Sequence, residues 1–255
     1  MISLSIIIVN MKLEQYLEVI QKFIKDYLAN CHADGYVLGL SGGVDSSLVA
    51  ALTKKAVGKE KLTCIMLPID SHEDDLKDAL EVAKALDLNY LIIDASKAYH
   101  ELLKIMEEEG EKLSQPARSN LKVRIRMSIL YAYGQNHNYL VLGTDNADER
   151  YTGYFTKWGD GAADLLPIVY LVKKEVVEAS KLLGVPTRLA ERVPSAGLFE
   201  GQTDEKEMGI TYDELDSFLL GKKQEKAVEE RILHLHKVSE HKRNPIPTPE
   251  EFIRD

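Results

Sequence analysis

The chain has 255 residues, 45% hydrophobic and 29% charged, with a formal net charge of −9. That length suits one large α/β domain with extensions and an ample core, and the composition is that of a soluble globular protein. The acidic balance argues against nucleic acid as a partner, because phosphate backbones need clustered Lys and Arg.

Cys31 and Cys64 stand far apart with no C-x-x-C, so they make no zinc site unaided and read as reduced thiols of a cytoplasmic protein. Residues 1–10 are apolar but short, with neither a basic start nor a small-residue cleavage pattern, and read poorly as a signal peptide. No segment approaches the ~20 apolar residues of a membrane span, so no membrane role is expected.

Leu13, Tyr16, Leu17, Ile20, Phe23, Ile24 and Leu28 recur at helical spacing and predict a helix over 12–29. Apolar runs at 36–40, 62–67, 90–93 and 139–142 read as strands, separated by helical stretches at 46–57, 73–86, 98–109 and 117–134. This alternation predicts a doubly wound parallel sheet flanked by helices, with ligands beyond the carboxyl ends of its strands. Residues 152–164 mix Gly, aromatic and charged residues as an ordered binding loop would, and a helix follows over 173–183. Residues 194–209 are polar and rich in turn formers. Helical patterns at 212–219 and 223–239 form a C-terminal extension, stopped by Pro245-Ile246-Pro247-Thr248-Pro249. With no repeat and no clear linker, residues 1–255 read as a single domain.

The most informative stretch is Ser41-Gly42-Gly43-Val44-Asp45-Ser46-Ser47, between the first sheet strand and its helix. A strand, a glycine turn and a helix N-terminus make an anion site, since the first helical N–H groups lack internal partners. Gly42 and Gly43 remove Cβ atoms that would hold a phosphate off the backbone and permit positive φ. The serines add hydroxyl donors, and Asp45 adds a carboxylate able to hold magnesium beside the phosphates. A bland alternative is a glycine turn capped by Ser46. No G-x-x-x-x-G-K-[ST] occurs, so the loop is not of that second kind. The stretch resembles the pyrophosphate loop of the N-type ATP pyrophosphatases, which cleave ATP between the α- and β-phosphates and pass AMP to a carboxylate or carbonyl oxygen.

Gly143-Thr144-Asp145-Asn146-Ala147-Asp148-Glu149 follows the fourth strand and emerges at the same sheet edge. Alone it reads as a helix start capped by Thr144, with acids complementing the dipole. Its continuation, Tyr151-Thr152-Gly153-Tyr154-Phe155-Thr156-Lys157-Trp158-Gly159-Asp160-Gly161-Ala162-Ala163-Asp164-Leu165-Leu166-Pro167, resembles the T-G-[FY]-F-T-K-[YFW]-G-D-G-x-x-D-x-x-P region of NAD synthetases. Ser119 to Met127 and Glu240-His241-Lys242-Arg243 match two further motifs of that family, in order. Together these motifs make the chain similar to the ammonia-dependent NAD synthetases.

The resemblance implies ATP-dependent amidation of deamido-NAD by ammonia, giving NAD, AMP and pyrophosphate through an adenylated carboxylate. It implies that Gly39, Leu40, Ser41, Gly42, Gly43, Val44, Asp45 and Ser46 line the ATP phosphates, with Thr144, Lys173 and Ser195 also contacting ATP. Asp45 and Glu149 would bind magnesium, and Asp45 and Lys173 would serve catalysis. Arg124, Lys157, Asp164, His241 and Lys242 would hold deamido-NAD, whose pyrophosphate and carboxylate need cations. Without the family, Lys173 reads as a solvated first-turn lysine, and the aromatics Tyr154, Phe155 and Trp158 serve core packing as readily as a base.

Three departures stand out: Pro194-Ser195-Ala196-Gly197 replaces P-T-A-D, Asn146 and Asp148 replace the common His and Ala, and 70–75 is short and lacks a run of serines. The phosphate motif starts about forty residues in, leaving no room for a glutaminase domain, so free ammonia or ammonia from another subunit is expected. The resemblance also implies a homodimer with sites at its interface. The wide apolar surface of the helix around Arg124 points the same way. The alternatives are another ATP pyrophosphatase, such as a tRNA-modifying ligase, or a nucleotide sensor without catalysis.

Overall fold

The computed structural model describes residues 11–194 and 203–253. Its elements are α1 (Leu13–Asn30), β1 (Gly35–Gly39), α2 (Val44–Val57), β2 (Leu62–Met66), α3 (Glu73–Ala85), β3 (Tyr90–Ile92), α4 (Ser96–Glu108) and α5 (Gln115–His137). These are followed by β4 (Tyr139–Leu142), α6 (Ala147–Thr152), α7 (Lys173–Leu182), α8 (Thr187–Ala190), α9 (Asp204–Met208), α10 (Tyr212–Leu219) and α11 (Lys226–Val238). The four strands pair in parallel in the order β3-β2-β1-β4. That order reverses between β1 and β4, where the loops leaving the two strands diverge and open a crevice.

The two central strands β1 and β2 are buried on both faces, with successive side chains on opposite sides, whereas the edge strand β3 is exposed. Tyr36 and Leu38, with Leu62, Cys64 and Met66, pack against α1, α2, α3 and α7. Val37, Ile65 and Val141 face α5 through Ile129, Leu130 and Tyr131. The Tyr36 hydroxyl, wholly buried, donates to the Ile24 carbonyl at 2.7 Å, so even the polar tip of this core residue is satisfied. Asn138, the left-handed cap after α5, lets the chain turn straight into β4.

Every predicted strand and long helix is present, with ends shifted by up to three residues, as fraying predicts. The short helices α8 and α9 are additional to the sequence reading; at four and five residues they carry too little periodicity to show. The C-terminal helices build a second small core, Met208, Ile210, Tyr212, Leu215 and Ile232, beside Tyr151 and Tyr154. Among the described residues no helix is long and apolar enough to cross a membrane.

The apolar surface of α5 is used twice within the chain. Leu121, Ile125 and Ile129 pack on Tyr99 and Leu103 of α4, while Val123, Met127 and Leu130 line a cavity. The surplus apolar face that argued for a partner chain is therefore accounted for inside the fold.

Candidate functional site

The first side of the site is the loop after β1. Gly42 has φ +85°, and a Cβ there would come within 2.8 Å of the Ala79 backbone nitrogen. Only glycine fits both demands. Gly43 is extended instead (φ −73°) and serves as N-cap of α2, so it does not use the positive φ its sequence allows. Ser46 does not cap the helix; its hydroxyl, like that of Ser47, donates to the Gly43 carbonyl, at 3.1 and 2.8 Å. Ser41 Oγ meets Ser46 Oγ at 3.0 Å and accepts from Gly43 N–H at 3.2 Å, which folds the loop over the start of α2.

The second side comes from the loop after β4 and from α7. Asn146, not Thr144, caps α6: its Oδ1 accepts the Glu149 N–H at 2.9 Å while Glu149 Oε2 accepts the Asn146 N–H at 3.2 Å. The same Asn146 donates from Nδ2 to Asp45 Oδ1 at 2.8 Å, tying the two loops together. Lys173, first residue of α7, reaches back so that Nζ lies 2.6 Å from Asp45 Oδ2 and 3.5 Å from Glu149 Oε1. It is 5% exposed, which rules out the solvated first-turn reading. Burial pulls the Lys173 ammonium toward neutrality, but Asp45 and Glu149 outweigh it and hold it charged well above the usual lysine range. Burial, with Asp45 nearby, pushes Glu149 well above the usual carboxylate range.

Asp145 and Asp148, which the sequence reading left without roles, are almost wholly buried. Burial pushes the Asp145 carboxyl up to about 8, and Asp145 Oδ2 has no hydrogen-bond partner among the described residues. Asp148 Oδ2 accepts the Lys173 N–H at 2.8 Å. A run of acids after a strand signals a helix start, and nothing in the run separates a surface cap from a buried one.

Between these sides lies a cavity of about 660 Å³, lined by Gly39, Leu40, Ser41, Gly43, Val44, Asp45, Ser46, Thr144, Glu149, Lys173 and Lys242. That volume falls within the range of small-ligand pockets. One wall is apolar, with Ile65, Met66, Ala79, Met127 and Leu130, and suits a flat ring. Arg126 lines the same cavity, its Nε donating to the Leu67 carbonyl at 2.9 Å. Asp160 takes the Thr156 N–H at 2.7 Å and shapes the turn that follows. Lys242 donates to the Gly153 and Phe155 carbonyls at 2.6 and 2.7 Å, so the C-terminal segment fastens onto the loop after α6.

Four of the predicted substrate residues are not among those lining the cavity. Arg124 donates to the Lys157 carbonyl at 3.2 Å and Lys157 Nζ donates to the His241 carbonyl at 2.6 Å, so these three gather at a neighbouring rim. Trp158 sits beside them with φ +62° and its side chain largely exposed, a strained backbone for a bulky residue. Asp164 lies against β4, accepting from Val141 N–H at 2.7 Å and, at 3.4 Å, from Tyr131 OH. Gly42 faces α3 rather than the cavity, and Ser195 lies outside the described residues.

No group of three or more His, Cys, Asp or Glu able to hold a metal occurs among the described residues. The pair Asp45 and Glu149 nevertheless fits a hard divalent cation: two carboxylates converge on one cationic position, which the Lys173 ammonium now neutralises. Magnesium commonly takes one or two protein carboxylates and completes its shell with phosphate and water.

A parallel sheet with a glycine anion loop at its switch point, a buried lysine between two acids and an adjoining cleft define an α/β nucleotide-binding protein. The NAD synthase family model matches residues 16–246, and the chain belongs to that family. It is 43% identical to an NH(3)-dependent NAD(+) synthetase of Mesoplasma florum over 244 residues, covering 96% of this chain and 100% of the relative. Among solved structures, NMN synthetase from Francisella tularensis matches with TM-score 0.89 at 42% identity, over 95% of this chain and 100% of that one. The NH3-dependent NAD synthetase from Campylobacter jejuni matches with TM-score 0.77 at 30% identity, over 94% and 100%.

Proposed function

We propose that this protein is an ammonia-dependent NAD synthetase, amidating deamido-NAD at the expense of ATP in the last step of NAD biosynthesis. The observation that carries the reading is Lys173 held between Asp45 and Glu149 beside the loop of residues 41–47. The nicotinate carboxylate attacks the α-phosphate of ATP, giving an acyl-adenylate and pyrophosphate, and ammonia then displaces AMP. Oxide is a poor leaving group and AMP a good one, so no protein nucleophile is needed. The chain's task is to position the reactants and offset charge.

In this reading Gly39 to Ser46, Thr144, Lys173 and Ser195 hold ATP, and Asp45 and Glu149 hold magnesium, which neutralises phosphate charge when bound. Lys173, at the start of α7 and in the cavity lining, would offer its ammonium to the same phosphates. Lys242 and the rim of Arg124, Lys157 and His241, with Asp164, hold the second substrate. Because that rim is separate from the cavity lining, a second copy completing the site is the natural assembly, a homodimer with shared sites. The exposed Tyr90, Leu91 and Ile92 of β3 and Leu102, Ile105 and Met106 of α4 supply apolar surface for it. Free ammonia as nitrogen source is supported by a relative named for it, which the chain matches over its full length. A single catalytic domain in the cytoplasm suits the free thiols Cys31 and Cys64.

A second reading, amidation of nicotinate mononucleotide, is favoured by two observations. Asp164 is not among the residues that line the cavity, and the protein is similar to an NMN synthetase over nearly its whole length. One assay separates the readings: pure protein with ATP, magnesium and ammonium is given either acid substrate. NAD, AMP and pyrophosphate formed faster from deamido-NAD support the first, and a preference for the mononucleotide supports the second. ADP and phosphate as products would overturn both.

A further inference from the structure

Lys173 owes its position to a cap that its own segment cannot supply. The residue before it, Val172, stands at the N-cap of α7 with no side-chain oxygen and makes no capping bond from its side chain. The opening N–H groups of a helix must then find acceptors elsewhere. Glu175, within α7, takes only the Val172 N–H, at 3.0 Å, and the next two N–H groups bond to another element: Asp216 of α10, 43 residues further on, accepts the Lys173 N–H through Oδ1 at 3.0 Å and the Lys174 N–H through Oδ2 at 3.1 Å. Asp148 Oδ2 shares the Lys173 N–H at 2.8 Å. Asp216 is 2% exposed, so its two bonds are not diluted by water.

A lysine at the first position of a helix also opposes the helix dipole, which favours anions there. A carboxylate placed under the same turn offsets that penalty. The helix carrying Asp216 contributes again one turn earlier. The Tyr212 ring lies 4.9 Å from Lys173 Nζ, and its hydroxyl donates to Asp204 at 2.9 Å. Thr211 and Glu214 form a capping box that fixes the start of α10 itself. Backbone and side chain of Lys173 are thus both oriented by one C-terminal helix.

We propose that Asp216 is a positioning residue for Lys173: by capping α7 from α10 it sets where the Lys173 ammonium meets Asp45 and the ATP phosphates. Asp216 is not among the residues that line the cavity. The proposal rests on Lys173 acting on ATP, as in the function proposed above, and the contribution passes entirely through Lys173.

The test is a two-residue cycle on the full chain: wild type, Lys173→Ala, Asp216→Ala and the double variant. Each is measured for ATP affinity by calorimetry, for kcat and KM in the amidation assay, and for its thermal unfolding midpoint. In the Lys173-containing background Asp216→Ala should weaken kcat/KM for ATP about 10- to 100-fold, since a misplacement near 1 Å can cost that much. In the Lys173→Ala background the same change should alter ATP affinity less than about twofold. A purely structural cap would lower the unfolding midpoint and weaken ATP equally in both backgrounds, and that additivity overturns the proposal. So does a folded Asp216→Ala enzyme with wild-type kinetics. If Asp216→Ala does not fold, Asp216→Asn, which turns an NH₂ toward one of the two N–H groups, enters the same cycle under the same criterion. A wild-type protein that binds ATP but makes no amide refutes the proposed function, while the calorimetric cycle still decides the role of Asp216.

Discussion

The two ends of the site are built on opposite principles. At the loop of residues 41–47 the charges are met inside the chain: the Lys173 ammonium lies against the Asp45 and Glu149 carboxylates, and Asn146 donates to Asp45 from the loop after β4. At the rim, Arg124 and Lys157 bond only to backbone carbonyls, and neither has a carboxylate partner among the described residues. A cluster complete in itself can be set before ligand arrives. Cations without counter-charges instead keep their affinity for an anion that comes from outside, whether a substrate phosphate or a group on a second copy.

The sharpest way to break this contrast is at the loop of residues 41–47. Asp45→Asn should reduce turnover by about 10²- to 10³-fold, the usual loss when a preorganised electrostatic contact is removed, with circular dichroism unchanged. Near-normal turnover at limiting magnesium would remove Asp45 from the mechanism. At the rim, Arg124→Ala should raise KM for the acid substrate roughly 10-fold, about 1.4 kcal/mol, and leave KM for ATP alone, because a charge-assisted contact is worth about that much. If the rim serves a neighbouring copy, mixing Arg124→Ala with Asp45→Asn chains at acid-substrate concentrations well below KM should give hybrid dimers more active than the sum of the two separate variants. A fully active monomer at assay concentration in the ultracentrifuge would exclude shared sites.

The buried acids should show in the pH dependence of stability. Asp145 passes from about 3.8 when unfolded to about 8 when folded. Between those values the folded state keeps a proton that the unfolded chain has released, so this group's contribution falls as pH rises from about 4 to about 8 and is flat above. Asp145→Asn should flatten that part of the profile in urea titrations; an unchanged slope would show that Asp145 is ionised in the native protein. The smallest effect is expected at Trp158. Glycine relieves the left-handed backbone, worth about 1–2 kcal/mol, but costs about 0.5–1 kcal/mol of unfolded-state entropy. Trp158→Gly should therefore raise unfolding free energy by no more than about 1.5 kcal/mol. A loss instead would mean that the ring contact with Lys157 Nζ, at 5.4 Å, stabilises the rim.

The site was legible in the sequence where its residues are close together along the chain. Residues 41–47 carry their own geometry, because a strand, two glycines and a helix start fix it locally, and the structure places Ser41, Asp45 and Ser46 in the cavity lining. Lys173 was legible only through the family, since a lysine opening a helix looks the same buried or solvated. Asn146 was passed over in favour of Thr144 as cap, because two candidate caps two residues apart cannot be ranked without knowing where the helix starts. The apolar breadth of α5 was legible, but its meaning was not: periodicity shows that a face is covered, and only packing shows that α4 and the cavity divide it.

What the sequence by itself determined is what short-range physics controls. Alternation of period two and period 3.6 set the strands and long helices, and the glycine turn after β1 set the loop of residues 41–47 and the start of α2 at the carboxyl edge of the sheet. Only the tertiary structure decided which distant residues meet. Asp45 and Lys173 are 128 residues apart and Lys173 and Asp216 are 43 apart, yet they meet at 2.6 and 3.0 Å. No local pattern encodes those contacts, because the free energy that enforces them is gained by burying the sheet and helices around them. The charged groups then take whichever partners the packed core leaves within reach.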